Sequence, residues 1–124
     1  MIKLTFCLRR LPQLTPKAFR DYWYDVHGPL VREVAEAMRM RRYVQSHALV
    51  DARFVGIAAT RGIEATPYDG IAELWWDDVE SMLAVGETSE GRAASRRLVA
   101  DERNFIDVVN SPLFFVNERE VIAR

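Results

Sequence analysis

The sequence predicts an α+β fold, a four-stranded antiparallel sheet with its helices on one face. Three observations carry this. Helical and strand periods alternate in the order β, α, β, β, α, β, whose simplest packing is the split βαβ, or ferredoxin-like, arrangement. Two of the strands, 71–76 and 113–117, are apolar on both faces, so helices cover one face and something else must cover the other. The chain has 124 residues, 49% hydrophobic and 28% charged, which suits one domain (1–124) with a core of its own. A second copy of the same sheet is the simplest cover for the open face, so a homodimer is expected.

The first segment, Met1 to Leu11, alternates: Ile2, Leu4, Phe6 and Leu8 on one face, Lys3, Thr5, Cys7 and Arg9 on the other. Pro12 ends it. Thr15 then stands as a helix N-cap with Pro16 at the first helical position, and Leu14 and Phe19 are spaced as a hydrophobic staple. Phe19, Trp23 and Val26 mark one helical face. Pro29 cannot donate to the carbonyl of Asp25, so the helix is expected to stop or kink around His27. A second helical run follows over 30–40, with Val31, Val34, Ala35 and Met38 inward.

Residues 43–50 alternate as a strand, with Tyr43, Gln45, His47 and Leu49 on one side. The segment 51–67 has no clean period, and 53–59 reads as a short helix or an irregular excursion. Asp69-Gly70 makes a turn into the strand 71–76. Asp78 caps a short helix marked by Val79, Met82 and Leu83 and ended by Gly86. Thr88 or Ser89 caps the long one, which runs to about Asn104. Ser111-Pro112 opens the last strand.

Composition excludes several classes. Seventeen basic residues against eighteen acidic give a net charge of −1, which offers no electrostatic footprint for nucleic acid. No run is long and apolar enough to span a membrane. The opening MIKLTFCLRR is a strand pattern, too short in its apolar stretch for a secretory leader. A single cysteine, Cys7, makes no internal disulfide and points to a reducing, cytoplasmic home. No Walker loop, dinucleotide fingerprint, zincin motif, CxxC or nucleophile elbow occurs, so no cofactor and no metal are expected.

What remains is a set of polar residues where the pattern asks for apolar ones. His27, at the helix break, reads either as a group complementing the helix dipole or as an acid–base group aimed inward by the kink. His47 shares its strand face with Tyr43 and Gln45, as a polar sheet edge or as a cavity wall. Glu73 interrupts an apolar strand between Ile71 and Trp75, either paired with an arginine of a partner subunit or kept for proton transfer. Asp101 interrupts the stripe Ala94, Leu98, Phe105 on the last helix, so it holds something or sits at the boundary. Trp23 and Trp75 are expected as walls of an apolar pocket.

Phe19-Arg20-Asp21-Tyr22-Trp23, His27-Gly28-Pro29-Leu30, Tyr43-Val44-Gln45-Ser46-His47, Tyr68-Asp69-Gly70-Ile71-Ala72-Glu73-Leu74-Trp75-Trp76 and Asp101-Glu102 with Phe105-Ile106-Asp107 together resemble the EthD family. The resemblance spans nearly the whole chain and departs at 51–67. It implies a dimeric α+β barrel enclosing a small apolar cavity between sheet and helices. For function it implies a range. The name-giving protein accompanies an oxygenase system that degrades a fuel ether, which attaches the label oxidoreductase to the family. Fungal relatives look like dehydratases, and related barrels include isomerases, decarboxylases, cyclases and haem binders.

These readings converge on a cofactor-free enzyme using general acid–base chemistry on a small apolar metabolite, carbonyl-bearing or phenolic. His27 is expected as base or acid, oriented by Asp101, with His47 as the second acid–base group or a donor to an enolate oxygen. Tyr43, Gln45, Trp23, Trp75 and Glu73 are expected around the substrate. The competing reading is a non-catalytic protein that presents or sequesters a hydrophobic ligand for an oxygenase. Haem binding is a third.

Overall fold

The computed structural model describes residues Met1–Arg124. Four strands, β1 (Ile2–Leu8), β2 (Arg42–His47), β3 (Gly70–Trp76) and β4 (Leu113–Val116), form one antiparallel sheet in the order β2-β3-β1-β4. This is the expected ferredoxin-like order. The register pairs Leu4 with Leu74 and Phe115, and Phe6 with Ala72 and Leu113. Because side chains alternate, Leu4, Phe6, Leu8, Ala72 and Leu74 share the face on which the helices lie. Phe19, Trp23, Phe105 and Ile106 complete the core there.

Thr15 caps α1 (Pro16–Tyr22) by accepting the Ala18 N–H. The expected break at Pro29 takes a different form. The helix does not stop but widens into one π-turn, Trp23–His27, and continues as α2 (Gly28–Val34). In the widened turn the Gly28 N–H reaches back to the Trp23 carbonyl. That loosening makes room for the Pro29 ring, which would otherwise crowd the carbonyl of Asp25. A π-turn also advances less per residue than an α-turn. The inward series therefore runs Phe19, Trp23, His27, and Val26, expected inside, is 48% exposed.

The run expected to reach residue 40 is helical only to Val34. It ends in a Schellman turn, with the Arg39 N–H on the Glu36 carbonyl and the Met40 N–H on the Ala35 carbonyl. Arg39 holds the left-handed position, φ 55°, that glycine usually takes. β2 stops at His47, so Leu49 and Val50 lie outside the sheet and exposed. The excursion after it carries a short exposed helix, α3 (Val55–Ala59). Asp78 caps α4 (Val79–Ala84), and Thr88 caps α5 (Ser89–Glu102) by accepting the Gly91 N–H. α5 buries Gly91, Ala94 and Leu98, the last two against Val31 and Val34 of α2.

Candidate active site

The π-turn brings His27 to the inner face, 4% exposed, against the Phe105 ring. From α5, Asp101 meets it: His27 Nδ1 lies 2.8 Å from Asp101 Oδ2. Asp101 also accepts from the Tyr22 hydroxyl and from Asn104 Nδ2 at 3.1 Å. The sequence thus paired His27 and Asp101 but missed Tyr22, which sits on α1 one residue before the π-turn. Arg97, one turn earlier on α5, is engaged with Glu33 at 3.2 Å.

The electrostatics of the pair are one-sided. Burial pushes the His27 imidazole below its ordinary value, and outweighs the Asp101 carboxylate, which pulls it upward. Burial works to raise Asp101, but hydrogen bonds from Tyr22, His27 and Asn104 hold its carboxyl below the ordinary range. The resting state is therefore a neutral imidazole donating Nδ1–H to a carboxylate. Its Nε2 has a lone pair and no protein partner. Nor is that atom sealed off, since the only fully enclosed side-chain nitrogen or oxygen lacking a partner is Arg10 Nε.

A second polar chain runs from the π-turn to β2. Gln45 Nε2 donates to the Trp23 carbonyl at 2.8 Å, which clamps the widened turn to the sheet. A carbonyl only accepts, so this contact fixes the amide orientation. Gln45 Oε1 must then accept from His47 Nε2 at 2.8 Å, which sets the His47 tautomer and leaves its Nδ1 as a lone pair. The Tyr43 oxygen accepts from Trp23 Nε1 at 3.1 Å and Gln45 Nε2 at 3.2 Å. His47 stacks on the Trp23 indole, ring centroids 4.4 Å apart. Burial pushes the His47 imidazole down, helped by the charge of Arg20. Trp23 can lie this close to the sheet because residue 70 is glycine: a Cβ there would stand 2.5 Å from Trp23 Cζ3. Tyr43, Gln45 and His47 line a cleft of about 600 Å³ whose other wall is Gly28, Val31 and Met40. His27 lies behind that wall, toward α5.

Glu102 was not singled out by the sequence reading. It follows Leu98 by four residues and so continues the buried stripe of α5 beside Asp101. Burial, then the neighbouring Asp101 charge, pushes its carboxyl up to about 7. A second acidic residue one step along an apolar stripe was the available signal.

Glu73 and Trp75 do not join this site. The register sets Glu73 opposite Thr5 and Trp75 opposite Lys3, which places both on the sheet face away from the helices. Glu73 is paired with Lys3 of the same chain at 2.6 Å, not with an arginine of a partner. Trp75 lies under the cations of Lys3 and Arg42 and donates its Nε1–H to Glu118 at 2.7 Å. Strand alternation decides this, since neighbours at 71, 73 and 75 share a face opposite to 72 and 74. No three His, Cys, Asp or Glu side chains converge where a metal could sit.

Fold and site together define a ferredoxin-like α+β domain with a histidine–aspartate pair between its first helical unit and its last helix. The EthD domain model matches residues 11–108, and the chain belongs to the EthD family. Among solved structures, it is similar to an ethyl tert-butyl ether D (EthD) family protein from Bacillus halodurans: 21% identity, 96% of this chain and 99% of that one, TM-score 0.62. It is similar also to an EthD-like protein from Ralstonia eutropha: 16% identity, coverage 99% and 94%, TM-score 0.60. A dimeric ferredoxin-like protein of unknown function from Thermobifida fusca matches at 15% identity, coverage 93% and 88%, TM-score 0.55. No curated protein sequence matches. No helix is long and apolar enough to cross a membrane.

Proposed function

We propose that the domain, residues 1–124, is a cofactor-independent acid–base enzyme acting on a small, largely apolar metabolite that carries an enolisable carbonyl or a phenol. One observation supports this above the rest: a buried, neutral His27 whose Nδ1–H is held by Asp101, 2.8 Å away, while Nε2 is left with a free lone pair. In that state His27 is a general base. When it takes a proton, the imidazolium forms beside a carboxylate already in place to stabilise it. His47 is the second polar group, set in one tautomer by Gln45, and Tyr43, Val31 and Met40 supply apolar wall to the cleft, with Trp23 packed behind His47.

The proposal includes a homodimer in the cytoplasm. A structural neighbour is described as dimeric. Phe114 of β4 stands half exposed on the sheet face away from the helices, which a second copy would cover. Cys7 has no disulfide partner in the chain, which fits a reducing compartment.

The test is hydrogen exchange in D2O with a panel of small apolar 1,3-diketones and acylphenols, followed by proton NMR. The wild-type protein should accelerate loss of the acidic C–H signal above buffer, and His27→Gln and Asp101→Asn should each abolish the acceleration while remaining folded. Ligand-induced stabilisation without any exchange would favour the ligand-presenting role instead.

A further inference from the structure

Gln45 decides the hydrogen-bonding state of its two neighbours on the inner face of β2. Its Nε2 gives one hydrogen to the Trp23 carbonyl at 2.8 Å and the other to the Tyr43 oxygen at 3.2 Å, so both amide hydrogens are spent. Its Oε1 then faces His47 Nε2 at 2.8 Å and can only accept. The series cannot run the other way, because the backbone carbonyl at its origin has no hydrogen to give.

The two ends of this network are thereby fixed with opposite character. At one end the Tyr43 oxygen takes N–H groups from Trp23 and Gln45, and neither can accept its hydrogen in return. The phenol is left as a donor without a protein acceptor, and the two N–H groups drawing on its oxygen strengthen it in that role. At the other end, burial and the charge of Arg20 favour the neutral His47 ring. That ring spends its one N–H on Gln45, which leaves Nδ1 as a bare lone pair. No protein donor reaches Nδ1, and it is open to solvent, since Arg10 Nε is the only partnerless side-chain nitrogen or oxygen that is fully enclosed. Tyr43, Gln45 and His47 all line the cleft of about 600 Å³, whose apolar lining comes from Val31, Ala35 and Met40. The volume suits a small ligand with an apolar body and a few polar anchors.

We propose that this cleft binds a small hydroxyaryl ketone at two points, the Tyr43 hydroxyl donating to the ketone oxygen and His47 Nδ1 accepting the ligand's hydroxyl. Gln45 is the positioning residue that makes one of them a donor and the other an acceptor. This rests on the reading of the domain as one that takes a small apolar carbonyl or phenol, and it narrows that reading to ligands carrying both groups. The Gln45 amide and the width of the imidazole ring stand between the two points, so the ligand's two groups stand apart as well, as in a meta or para arrangement. An ortho-acylphenol falls outside, because its hydroxyl is already spent on its own carbonyl.

The experiment compares the binding of three ligands in the meta and para series, read by titration of protein NMR shifts. Hydroxyacetophenone carries both groups, methoxyacetophenone lacks the hydroxyl hydrogen, and ethylphenol lacks the ketone. In at least one series the wild-type protein should bind the hydroxyketone about tenfold tighter or more than either analogue, the scale expected when a site's hydrogen-bonding group is left unpaired. His47→Phe keeps an aromatic ring against Trp23 and should erase the preference for hydroxyl over methoxyl. Tyr43→Phe should erase the preference for ketone over ethyl. Gln45→Glu should raise the His47 pKa and weaken the hydroxyketone, because a carboxylate draws the Tyr43 hydrogen to itself and favours the imidazolium. Long-range proton–nitrogen NMR of the wild-type protein should show His47 neutral, with its hydrogen on Nε2 and an Nδ1 signal that moves on adding hydroxyketone and not on adding the methyl ether. A hydrogen on Nδ1 in the free protein overturns the proposal without any variant. So does equal affinity for hydroxyketone and methyl ether in both series, or no binding of either hydroxyketone. Binding with these preferences but no C–H exchange keeps the two-point site and removes the enzyme; exchange without the preferences does the reverse.

Discussion

His27 Nδ1 lies 2.8 Å from Asp101 Oδ2, joining a π-turn after the first helix to the far end of the last one, 74 residues later. The contact is buried at the histidine and only partly at the aspartate, with side chains 5% and 14% exposed. Burial is the largest single influence on both groups: it prevails at the imidazole, and at the carboxyl three hydrogen bonds together outweigh it.

Asp101→Asn should lower the His27 pKa further. The carboxylate supplies both a hydrogen bond and an opposite charge to the imidazolium, and the amide supplies at most the first. The expected change is a further drop, because the imidazolium loses the opposite charge that now holds it. NMR titration of the His27 ring reads it directly. A His27 titration unmoved by the substitution would separate the two residues energetically, whatever their distance.

Arg39→Gly should stabilise the fold. Arg39 occupies the left-handed position of the Schellman turn after α2, at φ 55°, where a β-carbon costs about 1 kcal/mol. Its guanidinium makes none of the ion pairs that hold the neighbouring Arg41 to Asp77. Glycine gives back part of that gain through the freedom of the unfolded chain, so a net increase of roughly 0.5 kcal/mol is expected in urea melts. A destabilised variant would mean that the Arg39 side chain contributes a contact the strain has to be weighed against.

Element order, caps and the sheet face of β1 were legible because each rests on local chemistry. Thr15, Asp78 and Thr88 cap where a side-chain oxygen precedes a helical period, and Ile2, Leu4, Phe6 and Leu8 alternate with no break. The π-turn was not legible. Pro29 announces trouble for its helix, but a kink and a widened turn satisfy the same missing donor. The choice between them is made by Gln45, which reaches the Trp23 carbonyl from 22 residues away. That one choice moved Val26 outside and His27 inside.

The site was legible in part for the same reason. Asp101 announced itself by standing in a stripe between Leu98 and Phe105, and a buried carboxylate needs a partner. Glu102 stands in that stripe as well. An α-helix turns 100° per residue, so a stripe this wide admits two adjacent positions, and only the tertiary packing shows that both are half-buried. Glu73 and Trp75 mark the opposite limit. Their apolar surroundings in sequence are real, but apolar neighbours do not say which side of the sheet is the inside.

Phe114→Glu should turn the proposed dimer into a monomer. Phe114 pairs with Thr5 on the sheet face away from the helices and is 52% exposed. A carboxylate there, repeated on both copies, would have to be desolvated within a face-to-face sheet contact. Light scattering should give about twice the chain mass for wild type and the chain mass for the variant. A wild-type monomer at low micromolar concentration would remove the sheet-to-sheet assembly.

Glu102→Gln should stabilise the protein at alkaline pH and do nothing at acid pH. The folded carboxyl is pushed up to about 7, against an ordinary value of 4.5, chiefly by burial. Below about pH 4.5 the group is protonated in both folded and unfolded chains and contributes no difference. As the pH rises from there to about 7 the unfolded chain releases the proton and the folded one keeps it, so wild-type stability falls. Above 7 the folded group ionises too and the loss stops growing. Glutamine cannot ionise, so the variant escapes the loss, by on the order of 3 kcal/mol at pH 8. Asp101 and His27 act in the other direction, since both are held below their ordinary values and their contributions fade as the pH drops. They are present in both proteins, so the difference reports Glu102 together with its coupling to Asp101. Urea melts of the two proteins from pH 4 to pH 8 measure that difference directly. Equal stability at pH 8 would place the Glu102 carboxyl in full contact with water, with an ordinary carboxylate titration.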